Sequence, residues 1–595
     1  METILTLFKL ALLFFSLAGY FFWLGQRFSI PFFFTPAVAI SGITLALYAA
    51  GLLNLLPYAV GALALWGLFQ LRYAWSFFQK PPLPEAENRF SPKALGFSLL
   101  LFFLLAALAL LYFRGKVLSH IDNYTHWGLI VRDMLLEDAL PSFRTRVIEF
   151  KTYPPGTALF LYYVCSLTGS SDCFMMLGQF LILLSFLYSL LAFVRRKNLW
   201  TLALVAAAAW YFLNGNDETA ITELTVDTVL ALAALCSFAW LYHWRDRLSP
   251  TVLWVSCLLG CELVLIKNSG LYFWGLSAVV LLFFLRSRGA FSHLWKPFCA
   301  LTLGGPLLTI FLWRQHTQYV FTDAAAAPHS LSLEYYQSVL EKLDLSGLPQ
   351  SFQSFLGQVF NLSNPALWLM ALTLALTIGF WFARKRQSPA ETQAAFRLWL
   401  FSLGSYGLYV AGEFLVGVFS VGSLSFGLYH RYHLTMVFYL YGIWLVYFLD
   451  KSAQLPRLAS FPPARGLCLL SAAALLWLPF TTPPLRYSPY EERKRMDVLA
   501  SQYHFGEDSM VIYSSDLCTG FIQRPENNYY VARYVFQVDL VNVVTQERLL
   551  AMNREGRYPE IDNCKWLVVL QRDPVIDAFL ETETCRHKWI AIYPD

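Results

Sequence analysis

Four places along this chain carry residue types that could do chemistry at a membrane surface. The first is the stretch His120-Ile121-Asp122-Asn123-Tyr124-Thr125-His126-Trp127, followed by Tyr153-Pro154-Pro155-Gly156, a polar and aromatic loop between strongly apolar runs. A carboxylate there, Asp122 foremost, could act as general base and take a proton from an incoming hydroxyl or amine. Irregular polar backbone near a bilayer persists only where it lines a cavity or meets water, and an acid in that position is a functional candidate by default. The competing reading of Asp122 is a helix N-cap. His126 reads more readily as a structural histidine than as a catalytic one. Asp133, Glu137 and Asp138 read as the wet face of an amphipathic helix.

The second place is Glu223 and Asp227, which lead into an apolar run. Helix capping is the simpler role for them; orienting a sugar or a basic partner is the functional one. The third is Lys267-Asn268, which interrupts an apolar hairpin. Its lysine either snorkels to the interface or meets a phosphate as a point charge. The fourth is Tyr429-His430-Arg431-Tyr432-His433. A guanidinium between two tyrosines suits a lipid-linked phosphate, held bidentately while the rings pack on sugar or isoprenoid. An interfacial anchor is the plainer alternative.

These residues need elements to hold them, and composition says what kind. Of 595 residues, 57% are hydrophobic and only 14% charged, which excludes an ordinary soluble enzyme and points to a polytopic membrane protein. A net charge of +5 over this length gives no nucleic-acid footprint. Ten cysteines without a CxxC pair argue against a structural zinc site. Glu2 precedes the first apolar run and no small-residue cleavage site follows it, so no removable signal peptide is expected.

A bilayer-crossing helix needs roughly 20 apolar residues, fewer where protein covers it. About fourteen segments qualify: 4–24, 32–53, 55–77, 94–113, 174–194, 199–213, 226–244, 250–266, 270–285, 297–313, 365–382, 396–419, 433–449 and 464–480. The short apolar stretch 153–169 reads as a helix lying at the outer interface. With it outside the count, the basic clusters at Arg195-Arg196-Lys197, Arg245/Arg247, Arg286/Arg288, Arg384-Lys385-Arg386 and Lys451/Arg457 all face the cytoplasm. The loops 114–152, 214–225, 314–364 and 420–432 then face outward, together with the C-terminus.

Beyond residue 485 the pattern changes to alternating strands such as Met510–Tyr513 and Trp566–Leu570, interleaved with charged helical stretches. The expected fold is therefore an all-α polytopic membrane protein with a small C-terminal extracytoplasmic α/β domain. Residues 1–93 would be accessory helices, 94–484 the core with its outward loop 114–152, and 485–595 the tail domain. Cys165 and Cys173, and the tail residues Cys518, Cys564 and Cys585, could pair on the outer side or remain free thiols.

Taken in order, these features resemble the GT-C glycosyltransferases of the dolichyl-phosphate-mannose–protein mannosyltransferase type, which include bacterial aminoarabinose and lipopolysaccharide-core sugar transferases. The likeness runs along residues 94–290. It takes in Asp122 and Tyr124 in the loop, Tyr153-Pro154-Pro155, the short stretch ending in Gly169, a span ending in Arg195-Arg196-Lys197, Asp227, and Gly260 through Lys267-Asn268-Ser269-Gly270. Arg431-Tyr432 matches a later feature.

The resemblance implies a plasma-membrane enzyme, in the bacterial inner membrane, that moves a sugar from a polyprenyl-phosphate donor to a glycan, lipid or protein acceptor outside the cytoplasm. Asp122 would be the base; Tyr124, His126, Tyr153, Asp227, Lys267, Asn268, His430, Arg431 and Tyr432 would bind substrate, with Lys267 and Arg431 offsetting charge on the leaving phosphate. Many members carry a second acid directly after the base, and here Asn123 stands there. That leaves a divalent metal open, and no other cofactor is implied. A transporter or flippase of a lipid-linked glycan would share the many spans, but it places ionisable groups near the midplane rather than at helix ends. A non-catalytic envelope-assembly protein on the same scaffold is the other alternative.

Overall fold

Helices that are apolar around their whole circumference can only be stable inside protein or lipid, and such helices dominate this chain. A computed structural model describes residues 2–79, 92–142, 150–194, 199–214, 221–321, 348–362, 365–383, 389–420, 429–454, 491–503, 509–513, 525–536, 542–555 and most of 561–593, with 337 and 341. The chain divides into two compact units: Met1–Arg114 with Asp138–Ser142 and Phe150–Arg486, and Gly115–Glu137 with Phe143–Glu149 and Tyr487–Asp595.

In the first unit, eight helices among the described residues are long and apolar enough to cross a membrane, from Ile4–Phe28 to Arg431–Lys451. Five shorter apolar helices, including Asp227–His243 and Pro250–Ile266, accompany them. The protein is an integral membrane protein of all-helical core. The expected span 55–77 is divided into Leu56–Gln70 and Arg72–Gln79, and 464–480 lies outside the described residues. The stretch 153–169 differs from the interfacial helix expected. Its helix, Gly156–Thr168, is buried along nearly its whole length and packs on Thr35–Leu52 and Asp172–Tyr188. Its neighbours, not the membrane surface, satisfy its apolar faces. Cys165, Cys173, Cys564 and Cys585 are thiols that join no disulfide, and Cys518 lies outside the described residues.

Small residues set the closest approaches, as expected where lipid offers no hydrophobic drive between helices. Helix Glu2–Phe28 meets Leu56–Gln70 so tightly that a Cβ on Gly67 would sit 2.2 Å from the Ser16 hydroxyl. Helices Asp227–His243 and Tyr429–Gln454 run side by side in the same direction. Asp227 meets Arg431 near their starts, a Cβ on Gly442 would touch Leu235 midway, and the Tyr242 hydroxyl donates to Asp450 near their ends.

The second unit is an α/β fold. Its four parallel strands, β1 Ser509–Tyr513, β2 Asn542–Thr545, β3 Trp566–Val569 and β4 Trp589–Ile592, lie in the order β2-β1-β3-β4. Parallel strands need crossovers, and helices Pro525–Phe536, Gln546–Glu555 and Pro574–Leu580 supply them. Leu549, Met552, Leu567, Val569, Ile576 and Phe579 form its core. The polar loop read as part of the helical core instead packs within this unit. Arg132 donates to the Tyr534 carbonyl at 2.7 Å and lies 3.8 Å over the Tyr534 ring, while Tyr124 meets the same ring at 5.1 Å.

Filling the Gly67 contact should overpack two helices, so Gly67→Leu is expected to cost about 1–3 kcal/mol. Gly61→Leu, on the same helix with nothing within 4 Å, should be near neutral. Thermal unfolding of both variants in detergent checks this, and equal melting temperatures would refute the close approach.

Candidate functional site

Asp227 begins its helix without capping it: the N-cap is Val226, and no side chain makes a cap bond there. Its carboxylate is used otherwise. Oδ1 accepts from Lys267 Nζ at 2.9 Å, and Oδ2 lies 3.2 Å from Arg431 Nε. All three side chains are buried. The capping role expected for Asp227 is thus replaced by a double ion pair. Snorkelling of Lys267 is also excluded, because its ammonium turns inward.

Each partner arrives there for a local reason. Pro250 at the first position and the Ser249 cap start helix Pro250–Ile266, which ends at the extended residue Lys267. The next helix begins at Gly270, where a Cβ would stand 1.8 Å from the Leu263 carbonyl oxygen. Only glycine lets the chain fold back so closely and leave Lys267 in the corner. Gly156 does the same for the Tyr153-Pro154-Pro155 segment: a Cβ there would be 2.6 Å from the Leu265 carbonyl oxygen. This seats Tyr153 beside the cluster. Gln179 holds the approach to Asp227 by donating to the Thr225 carbonyl at 2.9 Å.

Tyr432 closes the group. Lys267 Nζ lies 4.4 Å from its ring centroid, Arg431 donates to its hydroxyl at 3.3 Å, and Tyr409 donates to its carbonyl at 3.0 Å. The buried Tyr153 hydroxyl is within electrostatic reach of Lys267, Tyr432, Asp227 and Arg431. Burial opposes the Lys267 ammonium, but Asp227, together with Tyr432 and Tyr153, outweighs that penalty and holds it above the ordinary lysine range. Burial raises the Tyr153 phenol, with Lys267 pulling the other way. Asn268, half-buried, follows Lys267 in the same turn and its carbonyl accepts from Leu271 N. His430 precedes Arg431 in the helix, and its side chain lies outside the described ones.

Two acids escaped the sequence reading. Glu413 in helix Pro389–Ser420 bonds to Tyr409 and interacts electrostatically with Lys267 and Asp227. Glu262 is fully buried mid-helix, with neither oxygen hydrogen-bonded among the described residues. Both sit in spans, where an isolated acid is itself a signal. Two cations therefore meet on Asp227, with Glu413 within electrostatic reach, in buried surroundings that strengthen charge–charge contacts. Such a group can take an anion: a phosphate that displaces Asp227 inherits both cations.

Asp122, Tyr124 and His126 belong to the second unit. Asp122 precedes a π-helical turn, Asn123–Trp127, and makes no side-chain cap bond, so the N-cap reading falls away here too. About a quarter of its side chain is exposed, and its Oδ1 lies 3.8 Å from His120 Nδ1. Tyr124 is fully buried; its hydroxyl donates to the Leu118 carbonyl, and Arg493 lies 5.6 Å from its ring. His126 is buried edge-on against Trp127. Among the described residues, no three His, Cys, Asp or Glu side chains converge as metal ligands would.

No protein family and no curated protein matches the sequence. Among solved structures, the chain is similar to the crystal structure of ArnT from Cupriavidus metallidurans bound to undecaprenyl phosphate, at 15% identity and a TM-score of 0.32, over 84% of this chain and 90% of that one. A likeness of that degree transfers no residue role, and the site rests on its own geometry.

Burial pushes His126 down to about 3, against a smaller upward pull from Asp122. The unfolded chain takes up a proton below the ordinary value of 6.5, which the folded state refuses until about 3. Stability therefore falls as pH drops through that window, by at most about 1.4 kcal/mol per pH unit. His126→Gln should flatten the loss of melting temperature between pH 7 and pH 4. Parallel curves for the two proteins would contradict a buried neutral imidazole.

Proposed function

We propose that this protein is a membrane glycosyltransferase that moves a sugar from a polyprenyl-phosphate donor to a cell-envelope acceptor on the outer face of a bacterial inner membrane. The observation that carries this reading is the buried pair of cations, Lys267 and Arg431, on the single carboxylate of Asp227 at the start of a helix. Helix N-termini favour anions. Three of them, at Asp227, Gly270 and Tyr429, lie within a few residues of these side chains.

In the reaction, the acceptor oxygen or nitrogen attacks the anomeric carbon while the bond from that carbon to the phosphate oxygen breaks. The electron pair stays on the departing phosphate. Lys267 and Arg431 offset the charge that grows there, an effect worth most where water is excluded. By the GT-C resemblance the base that takes the acceptor's proton would be Asp122, whose side chain is about a quarter exposed. The aromatic hydroxyls of Tyr153 and Tyr432 are suited to the sugar or to the phosphate ester. A flippase would use the same phosphate contacts without breaking the glycosidic bond, so a labelled sugar that crosses reconstituted liposomes but never changes carrier would favour that reading.

Two sets of variants test the assignment with labelled donor and purified protein. Arg431→Lys keeps the charge but loses the planar fork, and Lys267→Met removes a cation while Arg431 still neutralises Asp227. Each should reduce kcat/KM for the donor by about tenfold or more, roughly the worth of one charge-assisted bond. Wild-type turnover at limiting donor in both would remove the phosphate role. Asp122→Asn should cut transfer by about 10²–10⁴-fold with folding intact. Near-normal transfer in that variant would sink the base, whatever the phosphate variants do.

A further inference from the structure

One side of the cation cluster is closed by a helix that packing barely holds. Pro389–Ser420 crosses as the span Gln393–Gly417, of which only 11% is buried, against 44% of Gly270–Ser287 and 94% of Arg431–Lys451. The last two belong to the helices it rests on. The buried Arg431 and Lys267 lie behind it. Tyr409 on this helix bonds to Tyr432, and Glu413, one turn further, is within electrostatic reach of Lys267 and Asp227.

The attachment changes along the helix. Midway, three phenols join it to its neighbours: Tyr272 donates to the Ser405 carbonyl, the Tyr406 hydroxyl shares a hydrogen bond with His433 Nε2 at 2.8 Å, and Tyr409 donates to the Tyr432 carbonyl at 3.0 Å. Toward Ser420, Phe414 packs on Phe352 and Phe355, each ring centroid 5.3 Å away. Toward Pro389 the helix stands off. There a cavity of about 740 Å³ opens between Ala394, Leu398 and Phe401 on this helix and Val280 and Phe284 on Gly270–Ser287. Val279 and Leu400, also in its lining, are 56% and 49% exposed.

In a bilayer, lipid tails suit an apolar helix as well as another helix does, so close packing and interhelical hydrogen bonds decide what stays together. Here close packing is slight and the bonds fall within Ser405–Tyr409. We propose that helix Pro389–Ser420 is a lateral gate: pivoting near Phe414, it swings from Gly270–Ser287 and Tyr429–Gln454 to let the isoprenoid chain of the lipid-linked donor pass from the bilayer, and the phenols of Tyr272, Tyr406 and Tyr409 latch it shut. The passenger rests on the donor reading above. Such a molecule keeps its chain in hydrocarbon while its phosphate must reach buried cations, so its last barrier is a helix rather than water. The half that stands off gives the chain room before the latch opens.

The gate is tested on the full-length protein in detergent, with native mass spectrometry following uptake and release of undecaprenyl phosphate. The Tyr272→Phe/Tyr406→Phe variant gives up two phenol bonds, each worth a factor of about five. It should take up and release the lipid about tenfold faster or more. Tyr406→p-azidophenylalanine, photolysed, couples the helix to its neighbours. Coupled before the lipid is added, it should exclude it; coupled after loading, it should trap it. A mere loss of structure would not depend on that order, and the coupled protein decides the matter even if the double variant fails to fold. Uptake indifferent to coupling, or loaded lipid that still exchanges after coupling, would overturn the gate while leaving the donor reading in place. A wild type that never retains undecaprenyl phosphate would overturn both.

Discussion

Three segments of the helical unit are held together by one carboxylate shared by two buried cations. An ion of either sign left alone in such a place costs several kcal/mol, so Lys267 and Arg431 are tolerable there because Asp227 answers them, and Asp227 because at least one of them is present. That interdependence fixes the geometry of three otherwise separate segments. The Lys267 hairpin, the start of the Asp227 helix and the start of the Tyr429–Gln454 helix must come together, or a charge is stranded. Hydrophobic packing alone would allow these helices to slide by a turn; the ion pairs do not.

The same constraint explains the glycines that matter. Gly270 and Gly156 are placed where the backbone must come against Leu263 and Leu265, and both flank residues of the cluster. A site built from helix ends needs this closeness, because its side chains are short relative to the helix diameter of about 10 Å. Asp227 and Arg431 stand on two heavily enclosed helices: 94% of the Arg431–Lys451 window is buried, and so is all of Asp227–His243 but its last residue. Charges sit where protein, not lipid, surrounds them.

Much of the helical fold was legible from runs of apolar residues, since a crossing helix leaves no alternative for its backbone polar groups. The strands Met510–Tyr513 and Trp566–Leu570 were legible for a similar reason, as short alternating runs that became β1 and β3. The cluster was legible only residue by residue. Asp227, Lys267 and Arg431 each stood out, yet each also had a local explanation, and pairing across 40 or more residues leaves no periodic trace. Glu413 was hidden because the apolar run around it reads as a span and draws the eye from its single acid. Tyr124 was placed in a water-facing loop because its cover, from Arg493 and Tyr534, lies hundreds of residues away.

The second unit's discontinuity has a consequence for biosynthesis. Residues 115–137 belong with a sheet that starts only after Tyr487, so roughly 350 residues must be made between the two parts. At about 5–20 residues per second, the first part waits roughly 20–70 s for its partner. During that interval Tyr124, His126 and Trp127 have none of the cover that the finished unit gives them. The chain is thus most exposed to proteases and to mispairing not at its end but during the insertion of its middle helices, and the tail, once made, completes a structure begun near residue 115.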